Sequence, residues 1–138
     1  MSLLVAMLAT GCASSTPPST SSTTTSVYFT SQVLYSPASP VVGTVITITF
    51  TIANATSSTT ALQAIPYVIT LDGASVTSGL TSSMTPNGDT TTSTTIQIST
   101  SGAHTVAVVL DPNDDTGFVS PTADSESVAI TVMPSSNI

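Results

Sequence analysis

The stretch "TVITITFTIAN", Thr44 to Asn54, decides the fold. Ile46, Ile48, Phe50 and Ile52 alternate with Thr47, Thr49 and Thr51, so an apolar side chain recurs at every second residue. That period belongs to a β-strand, whose successive side chains point to opposite faces, and not to a helix with its 3.6-residue turn. One face of the strand is hydrocarbon and the other is hydroxyl. Its β-branched residues suit a pleated, half-buried surface.

The same alternation continues on both sides of this stretch. The spacing predicts strands over Val27–Tyr35, Thr44–Ala53, Leu62–Leu71, Ala74–Leu80, Thr90–Ser99, His104–Leu110 and Glu126–Met133. Pro66 marks its strand as an edge or a bulge, because proline has no N–H for a sheet ladder. "LDG" at Leu71–Gly73 signals a tight hairpin, and "TPNGD" at Thr85–Asp89 signals a turn. In the fifth strand Thr92, Thr94, Ile96 and Ile98 share one side, and in the last Val128, Ile130 and Val132 do. No segment carries a helical stripe, and no repeat of 20–50 residues suggests a solenoid. About seven short strands with turn signals between them indicate an all-β, immunoglobulin-like antiparallel sandwich over residues 27–134.

Composition narrows the function. The 138 residues include seven acids, no Lys or Arg, and a single His, for a net charge of -7. Nucleic-acid binding is excluded as a class, since neutralising phosphates requires Lys or Arg. A polybasic membrane patch is excluded for the same reason. The single cysteine, Cys12, allows no internal disulfide. Ser and Thr, over a third of the chain, must carry solubility in place of charge.

The N-terminus reads as an address. "SLLVAMLATGC" is too short to span a bilayer, which needs about 20 apolar residues. It fits the apolar core of a secretory signal. Leu8-Ala9-Thr10-Gly11-Cys12 resembles the bacterial lipobox, with Ala9 where leucine is commonest and no positive segment ahead of it. The resemblance implies cleavage after residue 11, lipid on Cys12, and a signal peptide whose true start lies upstream of Met1. The alternative is an apolar N-terminal strand with a buried Cys. Residues 12–26 then form a tether, "CASSTPPSTSSTTTS", whose small polar residues cannot offset the entropy of ordering by burial. Ala13, standing where inner-membrane lipoproteins of enteric bacteria carry Asp, implies sorting to the outer membrane or cell surface.

Laid out in order, the strands resemble the CARDB family, a cell-adhesion-related immunoglobulin-like domain. The pieces that carry the resemblance are "VVGTVITITFTIANAT", "VITLDGASVTSGLT", "MTPNGDTTTSTTIQI", "SGAHTVAVVLDPND" and "SVAITV". They run from about Pro37 to Val132. The chain departs from the family before its last strand, where "SPTADSES" replaces a Glu and paired Asn residues. The resemblance implies a surface binding or spacer module and not an enzyme.

Three further features bear on chemistry. "DPNDDTG" at Asp111–Gly117 offers hard oxygen ligands from Asp111, Asn113, Asp114 and Asp115, a candidate calcium site. The competing reading is a solvated connection built of ordinary turn residues. His104 is either a strand-start edge residue or a lone acid–base group, and no GxSxG element accompanies it. Asn54-Ala55-Thr56 matches a glycosylation sequon, an ordinary coincidence in so Thr-rich a chain. Two functions follow as expectations. The first is a lipid-anchored adhesion or ligand-binding module contacting a surface protein or polysaccharide. The alternative is a structural spacer or assembly subunit that self-associates through strand edges, because the strands lack the Lys residues that usually protect an edge.

Overall fold

The computed structural model describes residues 27–55 and 62–136, and every regular element in them is a strand. The strands are β1 (Val27–Phe29), β2 (Leu34–Ser36), β3 (Val45–Asn54), β4 (Pro66–Leu71), β5 (Ala74–Leu80), β6 (Asp89–Gln97), β7 (Gly102–Leu110) and β8 (Ser125–Val132). All pair antiparallel, in two sheets. In the first, β3 lies between β6 on one side and β1 and β2, end to end, on the other. The second has the order β5-β4-β7-β8. The architecture is the immunoglobulin-like sandwich that the alternation predicts.

β3 is the spine of the first sheet. Ile46, Ile48, Phe50 and Ile52 are fully buried, facing Tyr67 and Ile69 of β4, Val106, Val108 and Leu110 of β7, and Ile130 and Val132 of β8. Burying each such side chain contributes about 1.5–3 kcal/mol. Phe50 sits edge-on to Tyr67 at 5.1 Å and to Phe29 at 6.2 Å, so an aromatic row crosses the core. On the outer face, Thr49 and Ser93 share a hydrogen bond of 2.9 Å, and Thr51 and Thr91 one of 2.8 Å. The threonines of the opening stretch therefore pair by hydroxyl across β3 and β6.

Two expectations need correction. Val27–Tyr35 is not one strand. Phe29 pairs with Ile52 and Leu34 with Thr49, so the four residues between them face only Phe50 and Thr51 on β3. The two extra residues interrupt the strand and let Val33 turn into the core. Nor does a strand begin at Leu62. Leu62 makes an isolated bridge with Met84, and β4 begins at Pro66. β4 is an interior strand and not an edge; proline is tolerated there because it is the first residue. The bulge lies elsewhere. Ile69 pairs with Thr77 and Thr70 with Ser75, leaving Val76 of β5 without a partner.

The two flanks of the sandwich differ. On one, β1 reaches the β7–β8 connection and the segment after β2 reaches the end of β8: Val27 N–H donates to Phe118 O, and Val42 N–H to Met133 O. On the other, a cleft of about 370 Å³ stays open between β5 and β6, lined by Val45, Val76, Thr77, Thr95, Ile96 and Gln97. Cys12 and the expected signal and tether segments lie outside the described residues.

Candidate functional site

The β7–β8 connection begins with Asp111, one of three buried polar residues among those described and only 1% exposed. Its backbone takes the left-handed conformation, φ 47°, that Asp tolerates better than most residues. This turns the side chain back over its own loop. Oδ1 accepts from Asp115 N–H at 3.0 Å. Oδ2 accepts from Thr116 N–H at 3.0 Å and from the Thr116 hydroxyl at 2.6 Å. The main chain is tied as firmly: Asp111 N–H donates to Pro66 O at 2.7 Å, and Asp114 N–H to Asp111 O at 2.8 Å. Three donors aimed at one carboxylate supply the positive partial charge that a chain without Lys or Arg cannot.

The four candidate ligands are thus not brought to one point. Asp111 is spent inside the loop, while Asn113, Asp114 and Asp115 are exposed on its tip. Among the described residues, no three His, Cys, Asp or Glu side chains converge where a metal ion could sit. Asp124, just before β8, offers its backbone carbonyl to Leu110 N–H at 2.7 Å. The loop as folded is a self-braced turn, and it does not fit a calcium cage of six or more oxygens.

At the other end of the sandwich lies a second cluster. His104 shares the inward parity of Val106, Val108 and Leu110, so it is an end plug of the core and not an edge residue. Asp72 comes to it from the β4–β5 hairpin. There Asp72 (φ 50°) and Gly73 (φ 88°) form a two-residue turn with both torsions positive, the geometry that matches the twist of flanking strands. Asp72 Oδ2 lies 2.7 Å from His104 Nδ1, and Asp72 Oδ1 accepts from Thr105 N–H at 2.8 Å. On the far side of the ring, Nε2 lies 3.0 Å from the Thr100 carbonyl and 3.3 Å from the Thr100 hydroxyl.

The row Asp72, His104, Thr100 has the outline of a hydrolytic triad but not its chemistry. A general base needs a lone pair on Nε2 facing the hydroxyl. Here the nearer group is a carbonyl, which only accepts, so Nε2 must carry a proton. Nδ1 faces a carboxylate, which favours a proton there too. The Asp72 hydrogen bond holds the His104 pKa above the ordinary imidazole value, and the same bond, with that from Thr105 N–H, holds Asp72 below the usual carboxylate range. When protonated, His104 is a charged clamp joining two turns. The sequence signal for it is its parity with the buried residues of β7. Its partner, 32 positions upstream, leaves no local trace. Asn54 of the sequon is 1% exposed, and its side-chain amide donates to Thr85 O at 3.3 Å.

The CARDB family model matches residues 26–116, which hold β1 to β7 and the start of the acidic loop. The chain belongs to the CARDB family. This is a cell-adhesion-related, non-catalytic family of domains. Solved structures agree on the fold. A CARDB domain from Pyrococcus furiosus, solved in complex with di-metal ions, superposes with a TM-score of 0.63 at 8% identity, covering 78% of this chain and 87% of that one. Residues 272–376 of a candidate cell surface protein from Methanosarcina acetivorans give 0.54 at 18% identity, over 74% and 91%. An alkylpurine DNA glycosylase from Pseudomonas fluorescens, bound to DNA, gives 0.53 at 15% identity over 78% of this chain but only 30% of its own. At such identities the likeness is one of fold. The metal ions and the DNA belong to those proteins. No curated protein is matched by the chain.

Proposed function

We propose that this CARDB domain is a non-catalytic adhesion or ligand-binding module of the cell envelope, held to a membrane by lipid on Cys12. Family membership carries the reading, and the two end clusters support it. One end is closed by the His104 clamp, whose ring nitrogens both face acceptors. The other presents a loop made rigid by the inward carboxylate of Asp111, with Asn113, Asp114, Asp115 and Phe118 exposed around it. A rigid scaffold beneath an exposed loop is the usual arrangement for recognition, because little entropy is lost on binding. The exposed carboxylates suit a surface protein or polysaccharide that carries cationic or donor groups.

The anchor and the binding end are tested separately. Full-length chain expressed in a bacterial host with a labelled fatty acid should incorporate label and sediment with membranes. Cys12→Ser should abolish both. Label in the Cys12→Ser protein would sink the anchor. For binding, Asp114→Asn with Asp115→Asn, which remove both charges and suit the left-handed torsion of Asp114, should reduce retention of the soluble protein on isolated envelopes while the melting temperature stays unchanged. Equal retention would move the contact surface away from this loop.

A further inference from the structure

Of the sheet edges among the described residues, β6 alone lacks a device against pairing. The β1/β2 edge is broken by its two-residue insertion and closed by Pro37. β5 carries the Val76 bulge. β8 carries Glu126, on the flank bridged by Val27–Val119 and Val41–Met133. β6 runs nine residues in unbroken register with β3, without proline, glycine or bulge, and its single charge, Asp89, is its first residue. Edges of this kind accept another strand. Beside it lies the open cleft, whose lining has no charged group and includes Val45 and Val76 at 54% and 46% exposure.

We propose that two copies of the chain associate through β6, edge to edge and antiparallel, about a two-fold axis at Ser93. The strand is self-complementary in this register. Ser93 faces its own copy, Thr92 faces Thr94, Thr91 faces Thr95, Thr90 faces Ile96 and Asp89 faces Gln97, so all nine residues are paired. The outer row continues the hydroxyl pairing already present between β3 and β6 at Thr49–Ser93 and Thr51–Thr91. An isologous contact needs this kind of palindromic patch.

Charge distribution selects a second copy as the occupant. Asp111, Asp114, Asp115, Asp124 and Glu126 all lie in β8 or the connection leading to it, on the opposite flank from β5 and β6. A cationic partner would be drawn there, whereas a like-charged copy meets an edge whose one charge, Asp89, stands at its end. In the pair the two Asp89 residues stand at opposite ends, about 27 Å apart at ~3.4 Å per residue. That exceeds the physiological Debye length of about 8 Å, so their repulsion is screened.

Sedimentation velocity on the full chain carrying Cys12→Ser, from micromolar to millimolar concentration, tests the proposal. The expected result is a monomer–dimer equilibrium. Ser93 is exposed, so Ser93→Glu and Ser93→Lys leave the core intact, which circular dichroism and melting check. Each puts like charges directly opposite at the axis and should weaken the dimer by about tenfold or more. An equal mixture of the two variants should restore it as a heterodimer. A monomer throughout the range overturns the proposal. So does a dimer indifferent to both substitutions, or a mixture that stays dissociated. None of these outcomes bears on the adhesion reading, which rests on family membership and the end loop.

Discussion

His104 and Asp72, 32 residues apart in sequence, meet at 2.7 Å and form the one ion pair among the described residues. The His104 side chain is 10% exposed and the Asp72 side chain 51%, so the pair sits where the core meets solvent. It fastens the β4–β5 hairpin to β7, and through the Thr100 carbonyl it fastens both to the β6–β7 turn.

Stability should therefore depend on pH with a defined sign. His104 is raised in the folded state, so its contribution is complete below the unfolded imidazole value of about 6.5 and is lost as pH rises through the higher folded value. Asp72 is lowered, so its contribution holds above the ordinary carboxylate value and is lost as pH falls through the lower folded one. Between these limits the clamp is whole. The melting temperature should fall as pH rises from about 6 to above the shifted imidazole value. His104→Gln, which keeps a donor but does not titrate, should flatten that alkaline slope. An unchanged slope in the variant would mean that another group sets it.

How far this architecture is legible in the sequence depends on parity. β3 is readable because its two faces differ in chemistry, Ile and Phe against Thr. The break between β1 and β2 is unreadable for the same reason. Val27, Phe29, Val33 and Tyr35 all keep odd numbers and all turn inward, since an insertion of two residues leaves a period-two pattern in phase. The start of β4 is not legible, because Leu62 is apolar and buried like a strand residue yet makes only a single bridge and no ladder. The acidic loop announces itself by composition, but composition cannot say which Asp turns inward. That depends on the left-handed torsion at Asp111 and on Thr116 standing five residues on.

Asp111 should be worth far more than its neighbours. Asp111→Ala leaves two backbone N–H groups and a hydroxyl without their acceptor in a part-buried site, at a cost of about 2–4 kcal/mol. Asp111→Asn keeps one acceptor oxygen and tolerates the torsion, so it should lose roughly half as much. Asp114 also holds a left-handed torsion, φ 55°, which Asn shares, so Asp114→Asn and Asp115→Ala, both at exposed positions, should stay within about 0.5 kcal/mol of wild type. Urea unfolding of the set measures all four. Similar losses at all three positions would mean that the carboxylates act together and not through Asp111 alone.

Gly79 should resist enlargement. A Cβ built there would lie 2.6 Å from the Tyr67 hydroxyl oxygen and 2.8 Å from the ring carbon that bears it. Tyr67 is buried and stacked edge-on against Phe50, so it cannot swing clear without disturbing the aromatic row. Gly79→Ala should cost about 1–3 kcal/mol by overpacking. In contrast, Ser78→Ala, one residue away and exposed, should change little. Equal melting temperatures for Gly79→Ala and wild type would show that the ring relocates freely.

Calcium should leave the fold unmoved. An ion saturating its site at ~100 times its Kd would stabilise the native state by about 2.7 kcal/mol, a rise of roughly 10 °C or more for a domain near 100 residues. Such a site needs several carboxylate or carbonyl oxygens free to turn toward one point. Asp111 already accepts from Asp115 N–H, Thr116 N–H and the Thr116 hydroxyl, and drawing it outward would break all three bonds. Asp114 and Asp115 alone offer a pair of exposed carboxylates in high dielectric, where each is worth little to an ion against its own hydration. Melts in EDTA and in millimolar calcium should therefore coincide to within about 2 °C. A rise of the full size, abolished by Asp114→Ala with Asp115→Ala while Asp111→Asn retains it, would show that the tip binds the ion without the braced carboxylate.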